Sequence, residues 1–243
     1  MRAPNLTPMT CSLVALVVAA QDPAGLARFW SGVLGWDVAE DRDRSVALLP
    51  SDDTGFRLRF EPTDEPKVAP NQMHLDLTSA SPEQQRATVA RALELGGRHI
   101  DIGQRPEEGH VVLGDPEGNE FCVIGAGNQF LADCGFVGAV ASEGSQEVGC
   151  FWSRALDWPL VWNQDQETAV RSPHGGPKIT WGGPPFRPKQ PRNRLHLELA
   201  ADGALHAEAE RLASLGATRL GGDGDALQLA DPDGNEFRLL AGP

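Results

Sequence analysis

The chain has 243 residues, with 21 Lys and Arg against 34 Asp and Glu, and a formal net charge of −13. This negative balance disfavours nucleic acids and anionic membrane surfaces as partners. The length, together with a hydrophobic content of 40%, provides enough material for two modest hydrophobic cores.

Three segments of the sequence occur twice. They are Phe29–Trp36 with Phe151–Trp158, Asn71–Leu77 with Asn193–Leu199, and Asp115–Phe121 with Asp231–Phe237. A repeat that covers nearly the whole chain predicts two similar units. We place the first copy at residues 10–125 and the second copy at 134–243, joined by the linker 125–133.

The first elements of each copy are predicted to be a strand and a helix. The apolar run 13–20 could be mistaken for the core of a signal peptide, but it is too short to span a bilayer. A similar run at 136–141 lies in mid-chain, so we interpret both runs as first strands. Asp22-Pro23 indicates the start of a helix, and Gly35 indicates its end.

The later elements follow the same order in both copies. Short strand-like runs are followed by a Pro-rich crossover segment, 61–71 or 182–193, and then by a strand of alternating polarity. A second helix begins at Ser81, where Gln84 favours a capping box, or near residue 204 in the second copy. After it come strands and an Asp-Pro-x-Gly turn. Each copy therefore reads as two βαβββ modules, giving four in the chain.

Successive side chains of a strand point to opposite faces of the sheet, so the position of a residue in its strand predicts whether it faces a cleft. In the first copy the cleft-facing side chains are His74, Asp76, Glu120 and Cys122, and in the second copy they are His196, Glu198, Glu236 and Arg238. We expect the first and last strands of a module to be neighbours, so that His74 meets Glu120 and His196 meets Glu236. A His nitrogen beside a carboxylate is a partial site for Zn, Ni, Mn or Fe.

These motifs resemble the glyoxalase-like domains of the vicinal oxygen chelate superfamily, which includes glyoxalase I, bleomycin-resistance proteins, fosfomycin-resistance enzymes and extradiol dioxygenases. The matching segments are Asp22-Pro23, Phe29–Trp36, His74–Leu77 and Asp115–Phe121, with their partners in the second copy. The resemblance implies an α+β fold of two tandem glyoxalase-like domains. Each domain would consist of two βαβββ modules that form a curved open barrel around a cleft.

The resemblance also implies a set of metal ligands, which this chain matches only in part. The last-module ligands of the family fall on His74 and Glu120, and on His196 and Glu236. The first-module ligand falls on Ala15 and near Val137, which cannot bind a metal. The remaining ligand position falls on Arg57 or Arg59, and on Ile179 or Trp181. The expected cofactor is therefore either a divalent metal (Zn, Ni, Mn or Fe) or none.

Two functional hypotheses follow, and both require a small-molecule partner. The first is an enzyme, a lyase, isomerase or cyclase acting on a compound such as a secondary metabolite. His74, Glu120, His196 and Glu236 would be its catalytic residues or metal ligands. The second is a metal-free protein that sequesters a drug or metabolite, as bleomycin-resistance proteins do. A structural or regulatory role is a third alternative.

Several of the cleft-facing side chains can be interpreted in more than one way. Asp76, Cys122, Glu198 and Arg238 are candidate ligand-binding residues, but Cys122 also suits simple packing, and Arg238 suits either an ion pair or an anionic ligand. The two histidines also suit hydrogen-bonded positions in a sheet. Four cysteines that form no CxxC pair favour reduced thiols in a cytoplasmic protein, which is expected to be a monomer or a homodimer.

Overall fold

The computed structural model describes residues 10–187, 189 and 192–242, and it contains four modules of the order strand, helix and three strands. Module 1 consists of β1 (Cys11–Ala20), α1 (Pro23–Leu34), β2 (Asp37–Glu40), β3 (Val46–Leu49) and β4 (Arg57–Pro62). Module 2 consists of β5 (Met73–Leu77), α2 (Pro82–Glu94), β6 (Arg98–His99), β7 (Val111–Gly114) and β8 (Glu120–Val123).

The second copy repeats this order. Module 3 consists of β9 (Val137–Ser142), α3 (Gln146–Leu156), β10 (Leu160–Gln164), β11 (Glu167–Arg171) and β12 (Lys178–Trp181). Module 4 consists of β13 (Leu195–Ala201), α4 (Leu205–Leu215), β14 (Thr218–Asp223), β15 (Ala226–Ala230) and β16 (Glu236–Leu240). Within the part of the chain that the structure describes, no helix is both long and apolar enough to cross a membrane.

The helix boundaries follow from local capping. The side chain of Asp22 accepts a hydrogen bond from the backbone N–H of Gly25 at the start of α1. Gly35 ends this helix in the left-handed conformation, with φ at 73°. Ser81 accepts a hydrogen bond from the backbone N–H of Gln84, and the Gln84 side chain in turn accepts one from the backbone N–H of Ala80. The predicted starts of α1 and α2 are therefore confirmed.

The sixteen strands form two open eight-stranded sheets, and each sheet combines one module from each copy. The order in the first sheet is β14-β15-β16-β13-β1-β4-β3-β2, which joins modules 4 and 1. The order in the second sheet is β10-β11-β12-β9-β5-β8-β7-β6, which joins modules 3 and 2. The antiparallel pairs β1–β13 and β5–β9 connect the two copies.

The fold class is confirmed, but the modules are combined differently from the expectation. Both modules of one copy were expected to surround one cleft. In the structure, the cleft face of the first sheet combines modules 1 and 4, and that of the second sheet combines modules 2 and 3. We call these the first cleft and the second cleft. His196 and Glu236 therefore share a cleft with residues of module 1, and His74 and Glu120 share one with residues of module 3.

The two modules of one copy meet behind the sheets, in a common hydrophobic core. Trp30 of α1 packs edge-on against Phe121 of β8, with ring centroids 4.9 Å apart, and its indole N–H donates to the buried carboxylate of Asp115. Trp152 makes the matching contacts with Phe237 and Asp231. Burial raises the pKa of both carboxyls, that of Asp231 to about 6. The two modules of each copy thus pack together within one hydrophobic core to which both copies contribute, while the sheets of each copy are completed by the other copy.

Candidate functional site

The strand register places most of the predicted site residues of the second copy on the floor of the first cleft. Val17 lies opposite both His196 and Arg59, and Ala15 lies opposite both Glu198 and Arg57. Glu198 in turn lies opposite Arg238 on β16. Residues directly opposite each other share a face of a sheet, so these side chains converge in one cleft.

A network of ion pairs fills the centre of this floor. The carboxylate of Glu198, whose side chain is 3% exposed, accepts hydrogen bonds from Arg59 and Arg238 at 3.1 Å each. Both guanidinium groups also bind Glu61, and Arg59 donates to Asp41 at 2.8 Å. Burial raises the pKa of the Glu61 carboxyl, but the hydrogen bond and the positive charge of Arg238, together with the charge of Arg59, outweigh burial and lower this pKa.

The first cleft does not fit the divalent metal that the resemblance implies. Ala15 offers no donor atom, and Arg59 brings a permanent positive charge to the floor where a ligand is expected. One oxygen of the nearby Glu198 carboxylate already accepts hydrogen bonds from two guanidinium groups. We therefore derive no metal chemistry for this cleft.

His196 is a neutral group beside this network. Burial, reinforced by the positive charge of Arg238, lowers its pKa to about 4. It lines a cavity of about 720 Å³ together with Gln228, Arg238 and parts of the two crossover segments. Cavities of this volume accommodate drug-sized molecules.

Glu236 and Glu120 hold the two crossover segments in the same way. Glu120 accepts from Lys67 at 2.7 Å and from the backbone N–H of Asn71 at 3.2 Å. Glu236 accepts from Lys189 at 3.1 Å and from the backbone N–H of Asn193 at 3.3 Å. Among the described contacts, neither glutamate is hydrogen bonded to the histidine expected as its partner.

In the second cleft, His74 is grouped with Asp76 and Cys122 instead. Potential ligand atoms of these three residues lie within 4.8 Å of one another. Burial lowers the pKa of His74, but its interactions with Asp76 and Cys122 outweigh this effect and raise the pKa to about 10. Burial raises the pKa of the Cys122 thiol. Asp76 and Cys122 are direct neighbours in the parallel pairing of β5 and β8.

The linker between the copies lies across part of the second cleft. Lys178 shares the row of Asp76, because Ala139 lies opposite both residues. The Lys178 ammonium donates to Asp133 at 2.8 Å and lies 4.7 Å from the ring centroid of Phe130. The segment from Phe130 to Asp133 is therefore part of the cleft wall, although the sequence predicted only a linker there.

Three further residues of the ion-pair network in the first cleft, Arg59, Glu61 and Asp41, were not predicted from the sequence as catalytic or ligand-binding residues. Alternation in the strand that contains Leu58 and Phe60 already places Arg59 and Glu61 on the cleft face. Arg238 had been expected either to pair with Glu236 or to hold an anion. It pairs with Glu61 and Glu198 instead.

Comparisons with known proteins agree with this fold. Residues 15–124 and 139–240 match the family described as "Glyoxalase-like domain". Glyoxalase I from Zea mays is 13% identical over 96% of this chain and 93% of its own, with a TM-score of 0.67. A putative dioxygenase from Bacillus subtilis is 15% identical over 96% of this chain and 86% of its own, with a TM-score of 0.63.

These low identities show the common fold and nothing about activity. No curated protein matches the chain in sequence. The family match covers most of both copies. The chain therefore belongs to the glyoxalase-like domain family of the vicinal oxygen chelate superfamily, with one match to the family in each copy.

Proposed function

We propose that this protein binds a small organic molecule in the first cleft without the help of a metal. The observation that carries the proposal is the cavity of about 720 Å³ beside His196, Gln228 and Arg238. Its floor holds arginine–carboxylate pairs, and one of these arginines, Arg59, occupies a position where the resemblance implies a metal ligand. This is the sequestering role that the sequence left as one of two alternatives.

The lining favours a ligand that is partly apolar and carries hydrogen-bonding groups. Pro62, Val68, Ala69 and Phe237 contribute to the lining, and apolar walls with a few polar groups are typical of drug-sized sites. The neutral imidazole of His196 offers one donor and one acceptor, and the Gln228 amide offers both kinds of atom.

The protonation states favour binding over acid–base catalysis. An efficient general base has a pKa near the working pH, whereas that of His196 is lowered to about 4. Glu236, its expected partner, is occupied by Lys189 and by the backbone of the crossover segment. A lyase or isomerase acting through these two residues is therefore the less favoured alternative.

The test is a screen for ligands by thermal stabilisation in the presence of EDTA, followed by calorimetry of the hits. The Ala19→Phe substitution, at a residue that lines the cavity, should reduce the affinity of a true ligand at least about tenfold by filling its site. Ala207→Phe, at an exposed position of α4, is the control and should retain the wild-type affinity. Hits that bind the Ala19→Phe variant as well as they bind wild type would contradict the proposal.

We further propose that the protein acts as a monomer in the cytoplasm. The chain itself supplies both modules of each eight-stranded sheet, so no second copy is needed to complete a cleft. The four cysteines are free, which favours a reducing compartment. Light scattering at several protein concentrations tests the first point, since a constant dimer mass would contradict it.

A further inference from the structure

We propose that His74, Asp76 and Cys122 bind a zinc ion on the cleft face of the second sheet, with one coordination position open to the cleft. The site shares only His74 with the ligand set that the family resemblance implies. It is separate from the cavity of the first cleft, so it goes beyond the binding function proposed above.

The backbone places the three donors on one face of two adjacent strands. Asp76 and Cys122 are paired directly in the parallel register of β5 and β8, and His74 precedes Asp76 by two residues on the same face. Their donor atoms lie within 4.8 Å of one another. Zinc ligands lie about 2.0–2.3 Å from the ion, so small side-chain rotations are enough to close the site around it.

One ligand atom lacks the hydrogen bond that its burial calls for. Among the described residues, no donor forms a hydrogen bond with the buried Oδ1 of Asp76. His74 Nε2 lies 3.2 Å from it, which is an ion-pair distance when the imidazole is protonated, and zinc would take the place of that proton. Buried carboxylate oxygens are normally satisfied, and a bound cation would satisfy this one.

The cluster has small neighbours on one side and is open to the cleft. The residues opposite Asp76 and His74 on β9 are Ala139 and Ala141, whose side chains are small. The His74 side chain is 33% exposed, so the cleft side of the site reaches solvent. The ammonium of Lys178, on the same row, is paired with Asp133.

The donor chemistry selects the metal. A thiolate, an imidazole and a carboxylate together suit borderline-soft zinc better than the hard ions magnesium and calcium, which prefer oxygen ligands. Three protein ligands with an open fourth position are typical of zinc sites that bind water or a substrate.

The first cleft is an internal comparison for this site. His196, Glu198 and Arg238 occupy the matching positions there, and the guanidinium of Arg238 lies 3.1 Å from the Glu198 carboxylate. An arginine thus takes the place of the thiol and neutralises the carboxylate. The zinc site is therefore expected in the second cleft, with one ion per chain.

The test uses the full chain, purified without a histidine tag and stripped of metal by a chelator. Zinc affinity is measured against a competing chelator, and cobalt is added separately to detect the thiolate-to-metal charge-transfer absorption. We expect one ion per chain and a thiolate band in the wild-type protein. The Cys122→Ser variant should lose the band. Its zinc affinity should fall by more than about 10–100-fold, which is the loss typical of changes to residues that only contact the metal ligands.

Two further variants keep the result interpretable. Cys150→Ser removes a half-buried cysteine of α3 and should retain both the band and the affinity. The Asp76→Asn variant should bind zinc more weakly but keep the thiolate band. It therefore provides an independent test if the Cys122→Ser variant fails to fold.

Wild-type protein without a thiolate band, or with the same zinc affinity as both ligand variants, would overturn the proposal. The cluster would then be a His74–Asp76 ion pair beside a packed thiol. Because the ligand screen for the first cleft is carried out in EDTA, its outcome is independent of this result.

Discussion

Arg59 of the first copy donates to the Glu198 carboxylate of the second copy at 3.1 Å, on the floor of the first cleft. Arg238 donates to the same oxygen from the other side at the same distance. The contact joins β4 to β13 across β1, so the network holds together the two copies that share this sheet.

Removing the central charge of this network should strongly destabilise the protein. We expect Glu198→Gln to lower the free energy of unfolding by about 3–5 kcal/mol, because it leaves two guanidinium groups partly uncompensated. Chemical denaturation measures the loss. The control is Arg86→Ala, which breaks an exposed ion pair with Glu83 and should cost less than about 1 kcal/mol. Equal effects of the two changes would contradict this account of the network.

Glu120 should act on the crossover segment rather than on a reaction. Glu120→Gln weakens the contacts with Lys67 and with the backbone N–H of Asn71. Loss of charged hydrogen bonds of this kind costs about 1.5–3 kcal/mol. Hydrogen exchange should therefore become faster at residues 67–71 and remain unchanged in α4. Unchanged exchange at Asn71 would argue against the anchoring role.

His196 should make stability depend on pH in a defined window. Its pKa is about 4 in the folded protein, against an ordinary value of 6.5, so its neutral form is favoured by folding. The stability it contributes is present above pH about 6.5 and is lost as the pH falls towards about 4, because the unfolded chain binds the proton first.

The measurement is the difference in unfolding free energy between wild type and His196→Gln, followed from pH 7 to pH 4. As the pH falls, the wild type should lose more unfolding free energy than the variant does. The same comparison with the exposed His206→Gln variant is the control. A rise in the difference as pH falls would mean that His196 is protonated in the folded state.

The two copies should depend on each other for folding. We propose residues 10–125 and 134–243 as the two units of the chain. When the units are separated, β1 loses its neighbour β13 in the first sheet, and β5 loses its neighbour β9 in the second sheet. Exposed strand edges of this kind promote association. Chains 1–127 and 128–243 should therefore co-purify when expressed together with a tag on only one of them. Two separately monomeric and folded halves would contradict the shared sheets.

Much of the fold is predictable because its signals are local. Asp22 and Ser81 cap helices through hydrogen bonds three residues away. Alternation on β5 and β8 correctly separates Leu75 and Phe121, which are buried, from the cleft-facing His74 and Glu120. The order of elements within each copy predicts four modules for the same reason.

The site was less predictable because its contacts are distant in sequence. Lys67 reaches Glu120 from a crossover segment, and Arg238 reaches Glu61 from the other copy. Neither pair is marked by a spacing rule. His74 is grouped with Asp76 and Cys122, whereas Glu120 is bound by Lys67.

By itself, the sequence determined the four βαβββ modules, their helix caps and the face on which each strand residue lies, because hydrophobic alternation and capping act over a few residues. Only the tertiary structure decided which modules share a sheet. Modules with the same order of elements offer similar strand edges to partners in either copy. The choice between them depends on long-range contacts, such as that of Arg59 with Glu198, which form only when the whole chain has folded.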